Sequence, residues 1–210
     1  AASLFAVGKG VGADAVTLGG NEVNLTLNNG VYEIDSYEEL MALSNAFADE
    51  TSGGKYKLVS DIVVENASSA STGIFAGEFD GNGHVIKNMT VKNPEVAGLF
   101  GYMTHGTVKD VTIDGFDLEA NHYAGAIVGW VEGKITVEGC TVKNGQIDLS
   151  VVEKDLGDKA GGIVGFAHNG TYTGNTVDNV VINGYRDLGG IAGCLQSNGQ
   201  VINNTVKNSV

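Results

Sequence analysis

The side chains with reactive chemistry are few and scattered. His84, His105, His122 and His168 lack HExxH spacing, which would set two imidazoles on one helical face around zinc. Cys140 and Cys194 fit neither a CxxC nor a zinc pattern. Asp80 and His84, within DGNGH, are the acid and base types that polysaccharide cleavage uses. Asp80, Gly81, Asn82 and Gly83 also spell a tight turn between two strands, and that reading is preferred. The strand-face acids Asp110, Asp114, Glu138 and Asp178 are not expected to recur in one outward column, as paired hydrolase carboxylates would require. No G-x-S-x-G and no phosphate loop occurs. The chain is therefore expected to be non-catalytic, with no metal and no cofactor.

Binding chemistry is better represented. Tyr123, Tyr185, Arg186 and Asp187 are the candidate ligand-binding residues. Tyrosine offers a face on which a sugar can stack, and arginine and aspartate offer directed hydrogen bonds. They lie in two of the four most variable stretches, 93–96, 119–123, 150–159 and 184–188. Variable loops on a regular scaffold are where binding usually sits. The Tyr123 and Tyr185 stretches are two repeats apart, so only 150–159 can connect them into one surface.

Each of these stretches leads into a repeated element. A glycine-bounded apolar box occurs as GLFG at 98–101, GAIVG at 125–129, GGIVG at 161–165 and GGIAG at 189–193. Its paired glycines are Gly98 and Gly101, Gly125 and Gly129, Gly161 and Gly165, and Gly189 and Gly193. They are expected to bend the chain at a corner while the apolar residues fill the interior. The second glycine recurs at spacings of 28, 36 and 28 residues, which means one supersecondary unit per repeat. Apolar-x-x-x-Thr-apolar strands are expected at 86–91, 108–113, 137–142, 172–177 and 201–206. Stacking them puts Val91, Ile113, Val142, Val177 and Val206 in an inward column and Thr90, Thr112, Thr141, Thr176 and Thr205 in an outward one. Asn175 and Asn204 then occupy the place of Met89, Val111 and Cys140, where their amides can bond one another as a ladder. Cys194 falls in the column of Tyr102, Trp130 and Phe166. Both cysteines are expected to be buried free thiols.

This pattern, without helical periodicity after residue 50, predicts an all-β fold: a right-handed, single-stranded parallel β-helix with an N-terminal capping helix. Residues 1–30 read as a lead-in, either a linker or a first edge strand. Residues 31–210 form the β-helix domain, with a cap over 31–64 and coils over 65–210. In the cap, Ser36 and Glu39 form a capping box, and Leu40, Leu43 and Phe47 recur at helical spacing, predicting a helix over 37–48. The last strand is followed by no polar cap, so the chain is expected to be a fragment of a longer protein or to associate end to end through its last coil.

Lys and Arg number 12 against 25 Asp and Glu, a formal charge of −13 that argues against nucleic acid and anionic membranes as partners. No apolar stretch is long enough for a transmembrane helix, so direct membrane insertion is not expected.

The segment YEIDSYEELMALSNAF, the segment DGNGHVIKNMTV and the repeated glycine boxes together resemble the GLUG-motif β-helix. The resemblance covers about residues 31–210. It implies a bacterial surface or secreted adhesin-like module, extracellular or on the cell surface, that contacts glycan or host protein. GLUG repeats also occur in non-catalytic regions of IgA1 metallopeptidases. The alternative implied is therefore an ancillary domain of such a protease, or of a polysaccharide-degrading enzyme, with its catalytic part outside this chain.

Overall fold

The computed structural model describes residues 12–64, 71–92, 95–150 and 158–210. The chain is mostly β, and its strands collect into three sheets of twelve, six and four strands. From Val31–Ile34 onward every described strand pairing is parallel. The repeats that begin at Ile74, Phe100, Val128 and Val164 each contribute to all three sheets. In the six-stranded sheet Val85–Lys92, Thr112–Glu119, Thr141–Asp148, Thr176–Asn183 and Thr205–Lys207 lie side by side.

The segments expected as single strands at 108–113, 137–142, 172–177 and 201–206 are each two strands meeting at a corner. Phe100–Lys109 ends and Thr112–Glu119 begins in another sheet. The turn is made by a left-handed residue: Asp110 (φ 52°), Gly139 (φ 62°), Gly174 (φ 63°) and Asn203 (φ 52°) in successive repeats. These are the residue types that tolerate positive φ. A second left-handed column, Asn88, Gly115, Asn144, Asn179 and Asn208, interrupts the pairing within the six-stranded sheet.

Ile113, Val142, Val177 and Val206 share one column, as expected. The place expected for Val91, however, is held by Ile86, itself paired with Ile62, whereas Val91 pairs with Leu118. Likewise Thr112, Thr141, Thr176 and Thr205 align, whereas Thr90 pairs with Asp117. Met89 pairs with Phe116 and so leaves the asparagine column. The acids are also more regular than expected: Lys87, Asp114, Lys143, Asp178 and Lys207 form one column of alternating charge.

The box glycines are needed for close approach rather than for φ. A Cβ on Gly125 would sit 2.6 Å from the Val164 Cα, and one on Gly165 2.7 Å from the Ala124 nitrogen. The twelve- and four-stranded sheets therefore pinch together at the box. Between the boxes the interior is filled by buried Phe75, Phe79, Phe100, Met103, Val108, Val137 and Tyr172. Phe75 stacks on Phe100 at 4.2 Å.

Asn175 and Asn204 do not bond each other's amides as a ladder. Each bonds the corner backbone of the preceding repeat. Asn175 Oδ1 accepts from the Cys140 N–H (2.9 Å) and its Nδ2 donates to Val137 O (3.0 Å). Asn204 repeats this with the Asn175 N–H (2.8 Å) and Tyr172 O (2.7 Å). Cys140 is a weaker stand-in: its Sγ lies 3.8 Å from Val108 O. Burial pushes its thiol up to about 12. Cys194 is only half-buried, which corrects the expectation of two buried thiols.

At the N-terminal end Gly12–Leu18 and Asn21–Asn28 form an antiparallel hairpin through left-handed Gly19 and Gly20, and the second strand pairs with Val31–Ile34. Helix α1 (Tyr37–Ser44) starts at Ser36, whose Oγ accepts from the Glu39 N–H at 3.2 Å. The Glu39 carboxylate accepts from the Asp35 N–H, one residue before the N-cap (2.8 Å). The helix ends at Ser44, not residue 48. Asn45 caps it, and Phe47, extended ahead of a second helix α2 (Ala48–Thr51), is 53% exposed rather than part of the apolar stripe. Ser44 Oγ donates to Leu99 O (2.6 Å), tying the helix to the first box.

Candidate functional site

Tyr123 opens the strand Tyr123–Gly125, and Lys159 opens Lys159–Gly161, directly beside it in parallel register. The next strand is Leu188–Gly189, so Asp187 precedes it at the equivalent point, where its carbonyl accepts from the Ala160 N–H at 3.1 Å. Three successive repeats thus bring Tyr123, Lys159 and Asp187 to one edge. The Lys159 ammonium lies 5.6 Å from the Tyr123 ring centre and 3.5 Å from Asp187 Oδ2. Residues 151–157 of the connecting stretch, and 93–94 of the first one, lie outside the described residues.

Two of the four sequence candidates, Tyr123 and Asp187, are therefore linked, through a lysine that sequence reasoning did not single out. Arg186 lies 3.4 Å from Asp158 Oδ1, one residue before Lys159. Tyr185 is exposed and is not in ring contact with Tyr123.

A second feature went unread as a surface. The residues after the second box glycine, Tyr102, Trp130, Phe166 and Cys194, pair in one column of the twelve-stranded sheet. The first three join Tyr123 across the pinched corner. Trp130 meets Tyr102 edge-on at 5.0 Å and Tyr123 at 5.4 Å, and Phe166 meets Tyr123 at 5.1 Å and His168 at 4.7 Å. Lys159 lies 5.4 Å from the Phe166 ring centre as well. Partial burial, and then the charge of Glu132, raise the Tyr102 phenol above its ordinary range. The indole N–H of Trp130 is buried and has no acceptor among the described residues. His122 lies 3.3 Å from Glu95, and His168 3.7 Å from Glu132.

The other candidates do not converge with this edge. DGNGH forms the expected turn between Ile74–Asp80 and Val85–Lys92, with the Asn82 N–H donating to Asp80 Oδ1 at 2.7 Å. His84 Nδ1 sits 3.1 Å from Asp61. Asp80 and Glu138 flank Lys109 in a column with Lys57, beside a cleft of about 390 Å³ that Lys55 and Glu78 also line. Among the described residues no three of His, Cys, Asp or Glu gather as a metal site. No helix there is long and apolar enough to cross a membrane.

No family model matches the chain, and no solved structure matches it. Among curated proteins, halomucin of Haloquadratum walsbyi (strain DSM 16790 / HBSQ001) is 30% identical over 151 residues, covering 64% of this chain. The match spans 2% of the length of halomucin.

Proposed function

We propose that this chain is a non-catalytic binding and spacer module of a larger secreted or cell-surface protein, contacting glycan or a host protein. Its ligand edge is the one that carries Tyr123, Lys159 and Asp187. The observation that carries this reading is the register that sets an aromatic ring, a cation and a carboxylate at equivalent points of three successive repeats. The Tyr123 ring then lies beside an ion pair whose remaining donors and acceptors can hydrogen-bond a ligand running across the repeats.

The scaffold is read as a right-handed parallel β-helix of the GLUG-motif type. Parallel pairing at intervals of one repeat, corners at fixed left-handed residues and the four glycine boxes support it. Partial similarity to a protein named as a mucin supports an extracellular setting. The formal charge of −13 suits a module that stays soluble and resists non-specific adhesion.

The test is an array of glycans, mucins and extracellular host proteins probed with the wild-type chain and a Tyr123→Ala, Lys159→Ala, Asp187→Ala triple variant of unchanged circular dichroism. Wild-type binding that the variant loses supports the reading. Equal binding by both removes the site from this edge, and binding by neither leaves a purely structural spacer.

A further inference from the structure

We infer that the aromatic ledge formed by Tyr102, Trp130 and Tyr123 is a subsite for a neutral pyranose of a glycan chain. The inference rests on the reading of this chain as a glycan-binding module and names the ligand class that such a module takes.

The first argument is the kind of surface. Tyr102, Trp130 and Tyr123 are all half-buried, and Trp130 meets both tyrosine rings edge to face, so neighbouring rings restrict one another's orientation. Immobile rings lose little conformational entropy on binding, and their apolar faces match the C–H faces of a pyranose. The ledge crosses repeats, as Tyr102 and Trp130 are paired on adjacent strands about 4.8 Å apart. Successive sugar units of an extended chain can therefore meet successive rings.

The second argument is polar capacity. Tyr102 and Tyr123 each bring a phenol hydroxyl, which can both donate and accept, to this half-buried ring cluster. Sugar hydroxyls both donate and accept, so one ligand class can serve the two phenols at the rim of an apolar face.

The third argument, charge, decides between neutral and anionic sugars. The cations near the ledge are already engaged: Lys159 with Asp187 and Arg186 with Asp158, while the imidazoles of His122 and His168 lie beside the carboxylates of Glu95 and Glu132. A uronate or sialate would have to displace a resident carboxylate, against the repulsion of a chain of net charge −13. A neutral hexose or pentose polymer meets no such barrier.

Trp130 is the only tryptophan in the chain, so its emission reports on the ledge directly. The full chain is titrated with cellohexaose, xylohexaose, mannohexaose, trigalacturonate and sialyllactose. A saturable shift of Trp130 emission with at least one neutral oligosaccharide and none with the anionic pair is expected. Tyr102→Ala and Tyr123→Ala should each weaken it about tenfold. If the alanine variants lose their strand circular dichroism, acrylamide quenching of the wild type decides: bound ligand must shield Trp130, and unshielded Trp130 at saturation overturns the proposal. Glycan binding on the array that leaves Trp130 emission and the Tyr102→Ala affinity unchanged overturns the subsite while the module reading stands. Equal or tighter binding of the anionic sugars overturns the ligand class. Absence of any array ligand overturns both.

Discussion

Asn175 is the residue whose replacement should report most clearly on how the repeats are held together. It is 1% exposed, and its amide satisfies both the Cys140 N–H and the Val137 carbonyl. Asn175→Leu keeps the volume but leaves both backbone groups buried without a partner. Each such group costs about 1–3 kcal/mol, so about 2–6 kcal/mol in all. Burying the leucine side chain offsets about 1.5–3 kcal/mol of that. The net loss is about 2 kcal/mol, or about 4–8 °C in melting temperature for a chain of this size. Thermal unfolding followed by circular dichroism measures it. Asn204→Leu makes the comparison internal, because Asn204 is half-buried and water can replace its bonds, so the shift should be less than half as large. Cys140→Asn should work in the opposite direction, adding about 0.5–1.5 kcal/mol by replacing a thiol with an amide at the same corner. An Asn175→Leu melting temperature within about 1 °C of wild type would refute the bonding scheme.

Three further outcomes are expected. In the native chain a thiol reagent should modify Cys194 and spare Cys140 until denaturant is added; two protected thiols, or a disulfide, would contradict the burial described. Partial burial pushes the Asp117 carboxyl up, but hydrogen bonds from Lys92 (2.9 Å) and Gln146 (3.1 Å) outweigh it and hold the group below its ordinary 3.8. A pKa lowered in the folded chain stabilises above the ordinary value and is lost as pH falls through the depressed one. The Lys92→Met variant should therefore lose less stability than wild type as pH falls from about 5 through the ordinary carboxylate range and below it in urea titrations, and an identical acid limb would remove the pair from the account. In a chain that ends at Val210, Leu188, Val201, Ile202 and Val206 are exposed and should drive self-association that Val201→Lys with Ile202→Lys suppresses in sedimentation velocity; a monomer of that chain at all concentrations would count against it.

Much of the architecture was legible because the repeat constrains residue type at each position. Glycines are required where a Cβ would come within 3 Å of a neighbouring backbone, so the boxes are conspicuous in the sequence. The threonine column from Thr112 onward was legible for the same reason. The first repeat was misaligned because left-handed residues occur at two places per repeat. Asn88 belongs to the column of Gly115 and Asn144, but its type also suits the corner position of Asp110. Matching it to Asp110 moved Val91 into the place of Ile86. The helix was overextended because Phe47 continues the apolar spacing, although Asn45 already caps the helix through its bonds to the last turn.

The site was only partly legible. Tyr123 and Asp187 stood out by type, but the residue between them, Lys159, closes a stretch whose length differs from its counterparts, so its register depends on strand pairing. Tyr102, Trp130 and Phe166 were visible as a column. That the column meets Tyr123 follows from the pinch between two sheets, which one-dimensional spacing does not encode.

The central claim is that the edge carrying Tyr123, Lys159 and Asp187 is a ligand-binding face. Surface plasmon resonance against the strongest ligand from the array, with wild type beside a Lys159→Ala, Asp187→Ala double variant of unchanged melting temperature, tests it most directly. The account predicts affinity at least about tenfold weaker for the variant; undiminished affinity would contradict it.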